Sequence, residues 1–148
     1  MTSTEGKVVI RPMEPEDIDA VLTIDRKISG VRRAITYADL ITGDLGGVID
    51  ISFVAEINGQ VAGFILARLA YVGEPVTEVG LVQILGVNPD YQRQGIATKL
   101  VNAMLERCKS KGIKAVRVTV NERDSQLRGF FQRMGFRRGQ LIDYSKTL

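Results

Sequence analysis

Histidine and tryptophan are both absent from the 148 residues, and cysteine occurs once, at Cys108. Without histidine the chain lacks the commonest metal ligand and general base, so a zinc site and a Ser-His-Asp triad are both excluded, and no metal is expected. One cysteine rules out an internal disulfide, and its place on an apolar helix face makes it a core thiol rather than a nucleophile. No apolar run approaches the roughly 18 residues that span a bilayer. The first residues, MTSTEGKVVIRP, lack the basic-then-apolar order of a secretory leader, which points to a cytoplasmic protein. What is present is a hydrophobic content of 45%, enough for one core, and hence one domain over residues 1–148.

Charge is unevenly spread. Residues 1–60 carry 6 Lys and Arg against 10 Asp and Glu, whereas residues 88–148 carry 13 against 5. Chance distribution of surface charge is one reading. The other is a basic half drawing an anionic cofactor and an acidic half drawing a cationic substrate.

The opening segment Lys7 to Arg11 reads as a strand ended by Pro12. A helix follows from Pro15, with Glu16 and Asp17 at its positive end and Ile18, Val21, Leu22, Asp25 and Ile28 at helical spacing. A second helix is expected over Tyr37 to Leu45, capped by Thr36. Ile51 to Ile57 and Gln60 to Val72 flank Asn58-Gly59, which predicts a hairpin, because a type I′ turn needs positive φ at both central residues. Val76 to Val87 is a third strand, apolar on both faces, in which Gly80 and Gly86 suggest a bulge or a close backbone neighbour. A helix over Gly95 to Lys111 ends at Gly112, and Ala115 to Val120 forms a further strand. Asp124 or Asn121 caps a helix running to Met134, Gly135 ends it, and a last strand runs from Phe136.

One stretch joins these elements into a ligand-binding device. The strand before Asn88 leads through Gln92-Arg93-Gln94-Gly95-Ile96-Ala97-Thr98 into a helix. The first amides of that helix lack intrahelical partners and carry partial positive charge, while Gly95 and Ala97 let a ligand approach the backbone. Such a loop suits a diphosphate.

The run Val87-Asn88-Pro89-Asp90-Tyr91-Gln92-Arg93-Gln94-Gly95-Ile96-Ala97 resembles the strand-end V-x-P-x-Y and the (Q/R)-x-x-G-x-(G/A) loop of the GNAT superfamily of N-acetyltransferases. The resemblance leans toward the ribosomal-protein and small-amine branch. Phe131-Gln132-Arg133-Met134-Gly135-Phe136 is similar to the family's final helix and its Gly-Phe. The match in element order covers nearly the whole chain. It implies an α/β (α+β) fold: a mixed, mostly antiparallel sheet of six or seven strands with four helices, ordered β-α-α-β-β-β-α-β-α-β. It also implies acetyl-coenzyme A as cosubstrate. Its pyrophosphate would lie on amides from Arg93 to Thr98, with Gln92, Gln94, Gly95, Ile96 and Ala97 in the cradle. Its pantetheine arm would pair with Leu85, Gly86 and Val87, where the central strand splays from the next one. Gly86 either leaves room for that arm or relieves crowding against a helix. Asn121 either touches the arm or is a plain cap. Arg93, Lys99 and Arg128 are candidates for the phosphates or are solvated surface, and Tyr91 anchors the loop.

The sequence departs from the family where chemistry is concerned. Many members carry a tyrosine four residues before the glycine of Gly-Phe, as proton donor to the leaving thiolate. Here that position is Phe131, which cannot donate. A thiol of pKa about 8.5 leaves tolerably unaided, and acid help is worth roughly 10²–10⁴-fold. Tyr144 on the last strand is a substitute acid, and Tyr71 a weaker one. Glu78 is the leading base, acting through water, or else an ordinary carboxylate at the start of its strand. Gln83 positions a water or the amine, or else satisfies buried backbone groups.

The resemblance therefore implies an N-acetyltransferase moving acetyl to a primary amine by direct attack through a tetrahedral intermediate. The acceptor, a small molecule or a peptide, would be drawn by Asp25, Asp39 and Asp44, or else these are ordinary helix-surface carboxylates. A coenzyme A-binding regulatory protein with weak or no turnover is the alternative. A nucleic-acid module lacks the interleaved aromatics such a surface needs, and no membrane association is expected. Because only 12 residues follow Phe136, a final strand could be supplied by a second copy, and a homodimer is expected.

Overall fold

The computed structural model describes residues 6–30, 51–92 and 95–148. The expected helix over Tyr37 to Leu45 with its Thr36 cap, and Asp39, Asp44, Arg93 and Gln94, lie outside the described residues. One sheet organises the rest, in the order β1-β2-β3-β4-β5. Its strands are β1 (Val8–Pro12), β2 (Phe53–Ile57), β3 (Gln60–Val72), β4 (Thr77–Val87) and β5 (Val116–Val118). The helices are α1 (Ile18–Ser29), α2 (Ile96–Ser110) and α3 (Ser125–Arg133), with 3-10 turns at Pro15–Asp17 and Pro89–Tyr91. β1 to β4 pair antiparallel, and β5 joins β4 in parallel.

The mixed, mostly antiparallel α/β fold is as expected, but the counts differ. Five strands and three α-helices occur among the described residues, against six or seven and four. The expected last strand is not formed: residues from Phe136 onward enter no ladder. The strand before it is also shorter, Val116–Val118 in place of Ala115 to Val120. A strand is stabilised by its partner's hydrogen bonds, and pairing of β5 with β4 ends after three residue pairs.

Local chemistry explains the elements that formed. Asn58 and Gly59 take φ of 53° and 78°, and Ile57 faces Gln60 across the two-residue turn. Helix α2 ends in a Schellman motif: Gly112 donates to the Lys109 carbonyl and Ile113 to that of Cys108, at 3.1 and 2.9 Å. The same motif ends α3, where Gly135 donates to Gln132 and Phe136 to Phe131, at 3.0 and 2.9 Å. Asp124, not Asn121, is the cap of α3; its side chain accepts from the Leu127 amide at 3.0 Å.

The strand period of two divides the core. Phe64 and Leu66 pack with Val21 and Ile24 of α1, while Ile65 and Ala67 pack with Leu100, Val101, Met104 and Cys108 of α2. Val82 faces Ala67 and Ile84 faces Leu66, so Gln83 is an extra residue in β4, a β-bulge. Alternation flips there: Val82 belongs to the α2 cluster and Ile84 to the α1 cluster. The bulge thus falls between Gly80 and Gly86. Both glycines instead mark close neighbours. A Cβ on Gly80 would lie 2.7 Å from the Cys108 Sγ, and one on Gly86 2.8 Å from Phe64 Cε1 and 3.1 Å from Ile28 Cδ1. No helix among the described residues is long and apolar enough to cross a membrane.

Candidate active site

The bulge at Gln83 is also where β4 loses a neighbour. Its ladder with β5 covers Gly80, Leu81 and Val82 only, so among the described strands the edge from Gln83 to Val87 is open on that side. Donor directions follow from two hydrogen bonds. The Gly80 amide points to β5, donating to Ala115 at 3.0 Å, whereas the Asn88 amide points the other way, donating to Ala62 at 2.8 Å. Alternation back from Asn88 turns the N–H groups of Val87 and Leu85 toward the open side. Without the bulge, the donors on that side would fall on the other parity. Gly86, between them, faces Phe64 and Ile28 with its Cα hydrogens, so crowding first against Phe64 of β3 and then against Ile28 of α1 leaves no room for a side chain.

The open edge leads directly to the start of α2. Gly95 sits there in the left-handed region, φ 72° and ψ 16°, and as the cap residue it offers the helix no side-chain acceptor. Ile96 is buried and holds the helix to the core, Ala97 is half-buried, and Thr98 and Gln92 are exposed. The amides of the first turn therefore have no side-chain acceptor from the cap residue. Below them, Asn88 accepts from the Asp90 amide at 3.0 Å and starts the 3-10 turn, and Tyr91 packs half-buried against the core, as a loop anchor should. Lys27, near the end of α1, donates to Asp90 at 3.0 Å and to Asn88 at 3.4 Å. This tie between α1 and the loop had no signal in the sequence, because its partners are 61 and 63 residues apart.

The residues singled out for chemistry are dispersed. Gln83 is half-buried in the bulge, and its Oε1 is buried without a hydrogen-bond partner among the described residues. Glu78 is half-buried opposite the 72% exposed Tyr71, five residues from Gln83, or roughly 16 Å at strand rise. Tyr144 is 88% exposed in the segment beyond α3 that forms no strand. Phe131 is buried, edge-on to Phe130 and Phe136 at centroid distances of 5.1 Å. Asn121 accepts from the Arg123 amide at 2.8 Å in the loop before α3, and Arg128 of α3 donates back to the Glu122 carbonyl of that loop at 2.9 Å. Lys99 is exposed on the first turn of α2, and Asp25 is buried on α1.

An ion-pair group unforeseen in the sequence ties β1 to β2 and to the turn before α1. Arg11 grips Asp17 through two bonds of 2.8 and 2.7 Å and reaches Glu56 at 3.0 Å, while the Glu14 amide donates to Asp17 at 2.8 Å. Burial pushes the Asp17 carboxyl up, but the hydrogen bonds from Arg11 and Glu14 and the guanidinium charge outweigh it and hold the pKa below the ordinary value. Arg11 is raised, first by its bond to Asp17. Arg11, Asp17 and Glu56 line a hollow of about 450 Å³ together with Glu16, Val61 and Asn88. The hollow does not include the β4 edge. An arm that pairs along a strand needs a strip of donors more than an enclosed cavity. Among the described residues, no group of three or more His, Cys, Asp and Glu could hold a metal ion.

The comparisons agree with this geometry. The Acetyltransferase (GNAT) family profile matches residues 19–136. The fold is similar to that of an aminoglycoside acetyltransferase from an uncultured soil metagenomic sample, at TM-score 0.78 and 18% identity over 95% of this chain and 96% of that one. It is also similar to AAC(6')-Iy in complex with a bisubstrate analog, at TM-score 0.80 and 20% identity over 96% and 99%. Ard1 from Thermoplasma volcanium follows at TM-score 0.75 and 22% identity over 90% and 84%. With a bulged central strand, an open edge and an uncapped helix start inside the matched region, the chain belongs to the GNAT acetyltransferase family and is an enzyme of that acetyl-transferring class.

Proposed function

We propose that the protein transfers an acetyl group from acetyl-coenzyme A to a primary amine. The observation that carries this is the open edge of β4, with the Leu85 and Val87 amides turned outward and ending at the uncapped start of α2. These fit the two polar parts of the cosubstrate. The first-turn amides of α2, from Ile96 to Thr98, suit the pyrophosphate. The Leu85 and Val87 N–H groups suit the amide-bearing arm and the thioester carbonyl, where donors set in advance favour charge developing on oxygen.

Acetyl-coenzyme A supplies the acetyl group as a thioester, whose carbonyl carbon a neutral amine attacks directly. The tetrahedral intermediate breaks its C–S bond and releases coenzyme A as the thiolate, while the new amide gives up the amine's extra proton to solvent. The chain's part is to hold both reactants and exclude water. Gln83, with a buried unpartnered acceptor next to this edge, fits an amine or amide N–H in the complex. Glu78 would reach the amine only through a chain of waters, given its distance along the strand. A neighbour with the same fold, AAC(6')-Iy, is described in complex with coenzyme A and with a coenzyme A-neamine bisubstrate analog, which supports an amine acceptor. Whether that acceptor is a small molecule or a peptide is to be found by measuring free-thiol release over a library of both.

Phe131 favours a second reading: the hydroxyl common in the family is replaced by a ring packed in the core. A coenzyme A-binding protein without turnover would keep the edge and the helix start and lose the chemistry. Calorimetric titration with coenzyme A beside the thiol-release screen separates the two. Tight binding with release above the no-amine blank supports transfer, tight binding alone supports the binding protein, and no binding at millimolar coenzyme A overturns both.

A further inference from the structure

The point where β4 and β5 part carries side chains that the bare edge does not explain. Their last pair is Val82 with Val118, and the pair before it is Leu81 with Arg117. Packing fixes the faces. A Cβ on Gly80 would meet Cys108 and Met104, and Val82, Val116 and Val118 belong to the α2 cluster, so α2 covers one side of this point. Leu81 and Arg117 lie on the other side, which is also the side of α1. Leu81 faces Arg68 across β3, so two arginines on neighbouring strands flank one leucine. An acceptor that approaches the thioester from the side away from α2 meets them.

No acid balances either arginine. Arg68 is exposed, Arg117 is half-buried, and among the described residues neither forms an ion pair. The Arg117 Nε is buried without a hydrogen-bond partner there, and a buried donor is costly until an acceptor meets it. A Cβ on Gly139 would lie 3.3 Å from the Arg117 Nη1, so the guanidinium lies close against that glycine. It borders a hollow of about 470 Å³ with Thr77, Val79, Gln140 and the exposed Glu74. A guanidinium is a planar fork of donors that matches the two oxygens of a carboxylate. Strand rise sets the spacing: Leu81 and Val79 lie two and four residues from Gln83, roughly 7 and 13 Å away.

We infer that the acceptor is an amine that also carries a carboxylate, held by Arg117 with Arg68 beside it, roughly 7 to 13 Å from the reacting nitrogen. Amino acids with a terminal side-chain amine and short peptides have that span. A polycationic amine would instead set its second charge against two guanidinium groups, which disfavours it. The inference rests on the acetyl-transfer reading and names its substrate class. It runs against the cationic acceptor expected from the acidic first half of the chain.

The test compares kcat/KM for three amines of equal length, hexylamine, 6-aminohexanoate and 1,6-diaminohexane, with propylamine and 3-aminopropanoate as a short pair. In the wild type, 6-aminohexanoate is expected to exceed hexylamine at least roughly tenfold, the effect of one charge-assisted hydrogen bond, chiefly through KM. The short pair, unable to span the gap, should show no such gain. Arg117→Met should bring the long-pair ratio toward one, and Arg68→Gln, at an exposed position, should lower it by a smaller factor; circular dichroism checks that both fold. A structural defect would slow both amines of a pair alike and leave the ratio unchanged. Equal wild-type rates for hexylamine and 6-aminohexanoate overturn the inference, as does a preference for the diamine, or folded variants that keep the wild-type ratio. If none of the amines releases thiol, the transfer reading fails on its own account and binding decides. Calorimetric titration of 6-acetamidohexanoate in the presence of coenzyme A is then expected to show binding to the wild type at least roughly tenfold tighter than to the variants. Equal or absent binding overturns the inference.

Discussion

Phe131 stands where a hydroxyl would have chemical use, and its surroundings explain the hydrocarbon. It is the third residue from the end of α3, its carbonyl accepts from Phe136, and the two rings meet edge-to-face at 5.1 Å. The Gly-Phe signature is thus a Schellman stop with its usual apolar clasp. That physical role was legible once the glycine was recognised; the absence of a reacting hydroxyl was legible too. Gln83 was less so. Its amide in an apolar strand was visible, but a bulge is a mismatch between two strands, and one strand's sequence does not display it. The structure gives it an unpartnered buried oxygen, a feature worth roughly 1–3 kcal/mol of instability when unmet. Replacing Gln83 by Met, similar in size and apolar, is expected to raise the urea midpoint while lowering kcat/KM about tenfold or more. A stabler enzyme with unchanged turnover would leave Gln83 no part in the reaction.

At the scale of elements, contacts between helices and strands decide which glycines are required. Gly80 was read as a bulge or a close neighbour, and the neighbour is Cys108 of α2, a core thiol as the helix face implied. Gly80→Ala should cost about 1–3 kcal/mol by overpacking. Combined with Cys108→Ala, which removes the obstructing sulfur, the loss should fall below the sum of the two single losses by at least about 0.5 kcal/mol, measured by denaturant unfolding. The Arg11, Asp17 and Glu56 group ties β1, the first turn and β2, and no local pattern announced it. Because the Asp17 pKa is lower folded than unfolded, its stabilisation is present above the ordinary value of 3.8 and is lost as pH falls through the folded value. Wild type should therefore lose more stability than Asp17→Asn on going from about pH 6 to below pH 4. Parallel losses in urea melts would rule out that contribution. The missing last strand is the converse case. Its alternation reads as β, yet alternation specifies a face to bury and not the edge that will receive it.

Over the whole molecule, the imbalance of charge along the chain becomes an imbalance in space. Strand order follows sequence order, so β1 and β2, from the acidic first 60 residues, form one end of the sheet and β5, from the basic last 61, forms the other. Most charges at that basic end are exposed, and several, among them Lys99, Lys109, Lys111, Arg123, Arg133, Arg137 and Arg138, lie on or after α2. No one of them need touch a phosphate for their field to matter, because at low salt it extends over a screening length of roughly 10 Å or more. Coenzyme A carries three phosphate groups on one half and an uncharged arm on the other, which allows the field to be separated from the β4 edge. Raising salt from about 0.05 to 0.5 M should weaken coenzyme A binding several-fold, mostly through slower association, while pantetheine, which lacks the phosphates, should bind equally well at both. Calorimetry with the two ligands at both salt levels gives the comparison. Equal salt dependence would mean that the basic end is ordinary solvated surface, and that recognition rests on main-chain donors alone.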